Sequence, residues 1–545
     1  MKLKPVASSV SQPVGASSAG RAREFFLVMG VWLVLAIALC WLGRQNTTAP
    51  GLYYDEAVSA GMAKDFVTGQ THGQHMPEHM VIELFGRPFP VYVQSYLGAL
   101  KSWLFMPAFS LFGATLPVLR LTNLAWSLAA LLLFMIWSWK MLGLPVALIA
   151  SLLLASDPTF FFLAYLDWGS VVPSFLCRFA GFLMIWEAWQ RRQSRFAFLA
   201  GIFFGLGFFN KIDFAIILAG AAMAGVGALG QPRAAWVGAR KNLVLPTGLG
   251  FLIGAGPMTL TLPLIIGFTL SGHHAAHTGE FVEKIHTLRT MYDGSYFYRL
   301  MDAGGLFNKM YQASCPVWTP LGIVFCASGL MVIANVVRHR SQDIAWRKQV
   351  FLLLTAVFVT IGVVLLPGAV RIHHAALVVP FPHLIISMAG VMLWNRRPGQ
   401  RLMRGLLLAG LATLLLWQTM AVSQTERLIS DTQGRGWWSD ALLDFSRQVK
   451  NRSDLTIVSL DWGFNEQLLF LTDGPRLEEP IWHPVGAWPD SSHCIFLIHP
   501  PEYTLFKNAP ALLQSLSRKS KNVDVQPWYD HQGQIAFYAV RFPAP

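Results

Sequence analysis

Two adjacent acids, Asp55 and Glu56, stand in the segment Tyr53-Tyr54-Asp55-Glu56-Ala57 directly after Pro50-Gly51, and either could take a proton from a substrate hydroxyl. Neighbouring residues on a helix point about 100° apart, so one acid can face a substrate while the other serves a cation or a backbone amide. An acidic pair at a helix N-terminus also has an ordinary structural explanation. Further along, Arg87, Lys101, Asp167, Lys211, Arg371, His373 and His374 lie in or beside the links between apolar runs. Two segments carry metal-ligand spacing: HGQHMPEH, with His72, His75, Glu78 and His79, and HHAAH, with His273, His274 and His277. Loop histidines are more often simply solvated, so no residue is assigned as a metal ligand, and a divalent metal stays open as a cofactor.

The elements that position these groups must lie in a bilayer. Of 545 residues, 54% are hydrophobic and 13% charged, with mean hydropathy +0.45, too little charge to cover a soluble surface. The same figures exclude a disordered chain, a coiled coil and a disulfide scaffold. A spanning helix needs about 20 apolar residues. The first such run, Phe25 to Leu42, follows a tail with Lys2, Lys4, Arg21 and Arg23, and its exit Leu42-Gly43-Arg44 lacks a small-residue cleavage pattern, so it is expected to be an uncleaved anchor. Further runs lie near 120–139, 144–165, 170–189, 196–210, 212–230, 246–270, 317–337, 349–367, 375–394 and 403–421. Leu97 to Phe112 is interrupted by Lys101 and Pro107 and reads as an interfacial helix. If it does not cross, the Lys/Arg-rich loops after residues 139, 190, 230, 337 and 395 fall on the side of the basic tail. About eleven spans follow, with the N-terminus cytoplasmic and the C-terminus outside. The net charge of +13 then becomes largely a positive-inside signature, and no nucleic-acid partner is needed to explain it.

This topology puts the first loop (43–119), the turns at Asp167, Lys211 and Arg371, and the tail on one outer face. Charge beside hydrocarbon is expensive, so ionisable groups gathered at one face mark a functional site. In order along the chain come the Asp55-Glu56 pair, FGRPFP with Arg87, the interfacial stretch with Lys101, and Leu119-Arg120-Leu121 opening a span. AYLDWGSV, GIFFGLGFFNKIDF and RIHHAALVVPFPHL follow. Taken together these resemble the membrane family of protein O-mannosyltransferases and the lipid A aminoarabinose transferase, glycosyltransferases of the GT-C fold, over roughly Phe25 to Met420. In that pattern Gly-Lys-Pro follows the acidic pair; here Arg87 replaces the lysine.

The resemblance implies a polytopic α-helical membrane protein with a sugar donor on a polyprenyl phosphate and an acceptor hydroxyl on a glycolipid, glycan or protein. Asp55 is the first choice as general base, with Glu56 next. The leaving phosphate needs cations, and Arg87, Lys211 and Arg371 are candidates, with His373 or His374 as further donors and Lys101 in the same substrate-binding set. Asp167 would orient a basic residue or bind sugar hydroxyls. A base in line with a departing phosphate predicts inversion. The location expected is the cell (inner) membrane.

Arg178, alone in mid-helix, is expected to face the bundle interior and find a structural partner. The chain divides into a cytoplasmic tail (1–24), a transmembrane module (25–422) and an outer domain (423–545). In the last, ALLDFSRQVKN and NEQLLFLTDG read as helices and LTIVSL, CIFLIHP and IAFYAVRF as strands, a small extracytoplasmic α/β domain. A disulfide between Cys315 and Cys494 has no spacing rule behind it. Two other readings remain: a glycan ligase or polymerase with a pyrophosphate-linked donor, and a secondary transporter. The latter should show an internal repeat, and none is visible between the two halves.

Overall fold

The structure is a computed structural model that describes residues 18–229, 240–263, 278–338, 343–368, 370–396, 401–482, 493–506, 508–511, 514 and 523–542. His273, His274 and His277 lie outside the described residues. Among the described residues seven helices are long and apolar enough to cross a bilayer: α1 (Ser18–Leu42), α4 (Leu116–Leu142), α7 (Val171–Arg191), and those at Leu321–Arg338, Ile344–Leu365, Ile372–Asn395 and Arg401–Thr432. A further apolar pair, α5 (Leu144–Ser156) and α6 (Pro158–Tyr165), is bent by 64°, the form of a broken span or a re-entrant loop. Asp157 sits at that bend, accepting from Thr159 N (2.8 Å) and Phe160 N (3.2 Å), while Pro158 supplies a first helical residue with no N–H to satisfy. Shorter apolar helices α8 (Ser194–Asn210), α9 (Phe214–Leu229) and Leu245–Gly254 complete the set. Each lies on one of the eleven apolar runs of the sequence.

Burial ranks the spans. The apolar window of α7 and that of Ile372–Asn395 are 78% buried, against 22% for α1 and for Arg401–Thr432, so the first two form the interior and the latter two face outward. Glycine explains one close pairing. A Cβ on Gly201 or Gly205 of α8 would meet backbone of helix Leu245–Gly254 at 2.1 or 2.3 Å. Small residues on both helices let the backbones touch, which is how apolar helices gain packing where lipid removes the hydrophobic drive.

The first loop folds into its own layer. α2 (Tyr54–Thr68) is followed by an antiparallel sheet of β1 (Met80–Leu84), β2 (Arg87–Gln94) and β3 (Leu97–Gly98), then by α3 (Leu100–Phe112). α3 has 13 residues, including Pro107, and at ~1.5 Å per residue is about 20 Å long, too short to cross. The β-hairpin is absent from the sequence reading: its strands alternate poorly, and its turn is Phe85-Gly86, both at positive φ.

The last span runs to Thr432, past the boundary placed at 422. Beyond it stands an α/β domain whose sheet has the order β5-β4-β6-β8-β7, made of β4 (Thr456–Ser459), β5 (Arg476–Glu478), β6 (Cys494–Ile498), β7 (Asp524–Tyr529) and β8 (Ile535–Arg541). β4 pairs in parallel with β5 and β6, and β8 lies antiparallel between β6 and β7. Helices Ala441–Val449 and Asn465–Leu471 match the expected ones; β5 and β7, short or exposed and with little alternation, do not appear in the sequence reading. No disulfide joins Cys315 to Cys494.

Candidate functional site

α2 starts with its acids pointing apart. Glu56 is fully buried, and both its oxygens are taken by Arg120, from Nε at 3.1 Å and Nη2 at 3.0 Å. Arg120 spends its remaining N–H groups on the carbonyls of Asn46 (3.1 Å), Pro50 (2.8 Å) and Gly51 (3.1 Å). The Glu56 carboxylate also reaches back to Tyr53 N (3.3 Å), closing the first turn of α2. Such a pair, with every donor met, is a fastening between the first loop and the start of α4. The leucine-flanked arginine is therefore a structural anchor, and the Glu56 carboxylate is committed to it.

Asp55, one residue earlier, lines an open cleft with about 600 Å³ of empty space, together with Ser59, Gln94, Tyr96, Gly169, Ser170, Lys211 and His373. Its carboxyl pKa is pushed up to about 6: burial raises it, the charges of Lys101 and Lys211 pull it partly back, and Glu56 adds to the rise. It is therefore largely ionised at pH 7 yet a much better proton acceptor than an ordinary aspartate.

The opposite wall is the entry to α7. Gly169 and Ser170 both have left-handed backbone (φ +85 and +59). A Cβ on Gly169 would lie 2.7 Å from His373 Cγ, so only glycine allows this turn to sit under the histidine. Asp167 is buried and accepts from Val171 N (2.8 Å) and Val172 N (3.2 Å), capping α7. Lys101 Nζ donates to the Asp167 carbonyl and lies 3.6 Å from Asp167 Oδ2. The carbonyl and the carboxylate of Asp167 thus both face the Lys101 ammonium. Lys211, where α8 ends, is buried with its Nζ 3.2 Å from Asp213 Oδ2. His373 and His374 open the interior span, their rings 4.1 Å apart, with His373 edge-on to Trp168. Arg371 is half-buried, bonded to Glu283, and its guanidinium sits 3.7 Å above the Phe307 ring.

One expected phosphate ligand lies elsewhere. Arg87 is exposed at the start of β2 and donates to the carbonyls of Phe66 (3.3 Å) and Val67 (2.7 Å) in the last turn of α2. It caps a helix C-terminus instead of facing the cleft, because the hairpin turn carries it back over α2. Sequence reasoning missed Ser170, Ser174 and Asp213. The last could have been found as an acid two residues beyond Lys211 in NKIDF, and the serines from their place beside Asp167.

The histidine segment HGQHMPEH makes a latch. His75 holds Glu466 Oε2 at 2.7 Å through Nδ1 and Asp65 Oδ2 at 2.9 Å through Nε2. Burial alone would lower its pKa, but Glu466 and Asp65 together raise it to about 10, so both nitrogens carry protons at pH 7. His75, His79 and Glu466 place one ligand atom each within 4.8 Å of one another. A metal there would have to displace the His75 proton, so the donor set fits a charged hydrogen-bonded latch better than an ion. Lys64 adds to the latch, donating to the carbonyls of Leu469 (3.1 Å), Phe470 (3.0 Å) and Thr472 (2.6 Å). His72 O accepts from Leu477 N (3.1 Å) at the edge of the outer sheet, and Glu78 accepts from Ser95 N (2.9 Å). The C-terminal α/β domain is thereby fastened to the loop that carries Asp55.

No protein-family profile and no curated relative matches the sequence. Solved structures do. ArnT from Cupriavidus metallidurans in the apo state superposes with TM-score 0.57 at 11% identity, over 97% of this chain and 100% of that one. The same protein bound to undecaprenyl phosphate gives 0.55 at 12%, with the same coverage. The chain has the GT-C glycosyltransferase fold. The oligosaccharyltransferase AglB from Archaeoglobus fulgidus, in complex with an inhibitory peptide and a dolichol-phosphate, gives 0.52 at 13%, over 94% of this chain and 74% of that one. The ArnT match takes in the C-terminal domain as well as the apolar helices, so the likeness in fold extends over nearly the whole chain.

Proposed function

We propose that this membrane protein is an inverting glycosyltransferase that moves a sugar, a hexose or pentose, from a polyprenyl-phosphate donor to a hydroxyl of a lipid, glycan or protein acceptor at the outer face of the cell membrane. The observation that carries this reading is Asp55 at an open cleft, its pKa near 6, with Lys211 and His373 across from it. The acceptor hydroxyl gives its proton to the Asp55 carboxylate as its oxygen bonds to the anomeric carbon. The bond from that carbon to the phosphate oxygen breaks, and its electron pair leaves with the phosphate. That leaving group is already a stable anion and needs no acid; it needs positive charge, which Lys211 supplies, with His373 as a hydrogen-bonding neighbour. Arg371 stands in reserve, its charge shared with Glu283. Glu56 and Arg87 leave the reacting set because their partners hold them away from the cleft. The reaction routes no step through a metal. A lipid-borne donor suits a site at the ends of α7 and of span Ile372–Asn395, where the headgroup meets the cleft while the tail stays in the bilayer. The excess of Lys and Arg in the loops on the other side supports a cytoplasmic N-terminus and an extracytoplasmic cleft.

The test is transfer from purified full-length protein, supplied with radiolabelled polyprenyl-monophosphate sugars and a membrane extract as acceptor. The reading expects label in an acceptor with the anomeric configuration inverted. Label moving only from pyrophosphate-linked donors would replace it with the ligase or polymerase reading.

A further inference from the structure

Behind the cleft lies a narrow hollow with room for about one water-sized atom, sharing Gly169, Ser170, Lys211 and His373 with it. Its inner wall is Ser174 and Arg178 of α7 and Asp213. Arg178 is wholly inaccessible, in one of the two most buried spans. Its Nη1 donates to the carbonyls of Leu377 and Val379, which fixes the guanidinium in place. Its Nε and Nη2 have no hydrogen-bond partner among the described residues, and neither do Ser170 Oγ and Ser174 Oγ. Buried donors are almost always met, so several around one hollow call for a polar occupant.

Charge says which kind. Two cations, Arg178 and Lys211, face one carboxylate, Asp213, so the lining carries one positive charge more than it has carboxylates, and the Phe175 and Phe179 rings, 4.9 and 5.5 Å from the Arg178 guanidinium, offset only part of it. An uncompensated buried cation is costly and is normally paired. The two serines sit at the entry and in the first turn of α7, the positive end of that helix. The position fits the chemistry as well: Asp55 lines the cleft and not the hollow, and a displacement needs base and leaving oxygen on opposite faces of the anomeric carbon.

Resting on the glycosyl-transfer reading, we infer that the hollow takes one oxyanion oxygen of the donor's lipid phosphate, held by Arg178 and Ser174 behind Lys211. Arg178 is then a substrate-binding residue as well as a structural one.

Binding of a radiolabelled polyprenyl monophosphate, and of the uncharged polyprenol of the same length, to full-length protein in nanodiscs tests this. Arg178→Gln is expected to weaken the monophosphate at least tenfold and leave the polyprenol unchanged. Because Arg178 also holds two carbonyls, Ser174→Asp is the second variant: it keeps those bonds and sets a carboxylate in the hollow. It should give the same selective loss, and inorganic phosphate should displace the lipid phosphate from the wild type. Monophosphate affinity within twofold of wild type in a folded Ser174→Asp protein overturns the inference, as does an equal loss for both lipids. Wild-type protein that prefers neither lipid would sink the glycosyl-transfer reading itself, whereas selective wild-type binding with unaltered variants sinks only the role of Arg178.

Discussion

Asp55 and Glu56 are consecutive residues, yet they belong to two different kinds of charged cluster. Around Glu56 the charges are met: both oxygens are held by Arg120, and the rest of that guanidinium is spent on three carbonyls. Around Asp55 the account is left open: an acid at a cleft, two lysines nearby, and buried donors behind them without partners among the described residues. A satisfied buried network gives rigidity and specificity, and an unsatisfied one is held there by what binds it. The contrast separates fastening from site more sharply than residue type does, since both clusters are carboxylates facing cations.

Substitutions can break or sharpen that contrast. Asp55→Asn should cut transfer by about a hundredfold to ten-thousandfold, as loss of a general base does, while the melting temperature at pH 7 rises because the amide removes a buried charge. Arg120→Met should do the reverse, removing about 3–5 kcal/mol of stability by stranding Glu56, so thermal unfolding should reveal it before any rate does. Gly169→Ala forces a Cβ against His373 at positive φ, and about a tenfold fall in kcat/KM is expected from the displaced wall of the cleft. Arg87→Ala, outside both clusters, should change transfer by less than about twofold. A large effect there would return Arg87 to the phosphate and argue that the hairpin moves.

The membrane layer was legible because its signal is long: eleven apolar runs and a lopsided distribution of Lys and Arg survive any local irregularity. The candidate site was legible in part. Asp55, Lys211 and His373 could be picked out as charge or imidazole at the ends of spans, and the structure brings all three to one cleft. Asp55 stood ahead of Glu56 as the expected base, but helix geometry did not decide between them, because it says that neighbours diverge and not in which direction. Arg87 was misplaced because a motif's position along the chain does not fix which way a hairpin folds over it. Ser174 and Asp213 carry no periodic or compositional mark; only the packing of α7 against the end of α8 brings them together. The latch through His75 was visible as a histidine segment but looked like metal spacing, since its partner Glu466 lies almost four hundred residues away.

The raised pKa of Asp55 gives the central claim a direct readout. The folded protein prefers the protonated carboxyl, so this group's contribution to stability is complete below about 3.8 and is lost as the pH rises through about 6. Activity runs the other way, because only the ionised form can accept a proton. The decisive measurement is the pH dependence of kcat/KM for transfer by the wild-type protein from pH 4.5 to 8. The account predicts a plateau above pH 7 and an acid limb of unit slope with its midpoint near 6, absent from the residual rate of Asp55→Asn. A flat profile across that range, or the same limb in Asp55→Asn, would contradict it.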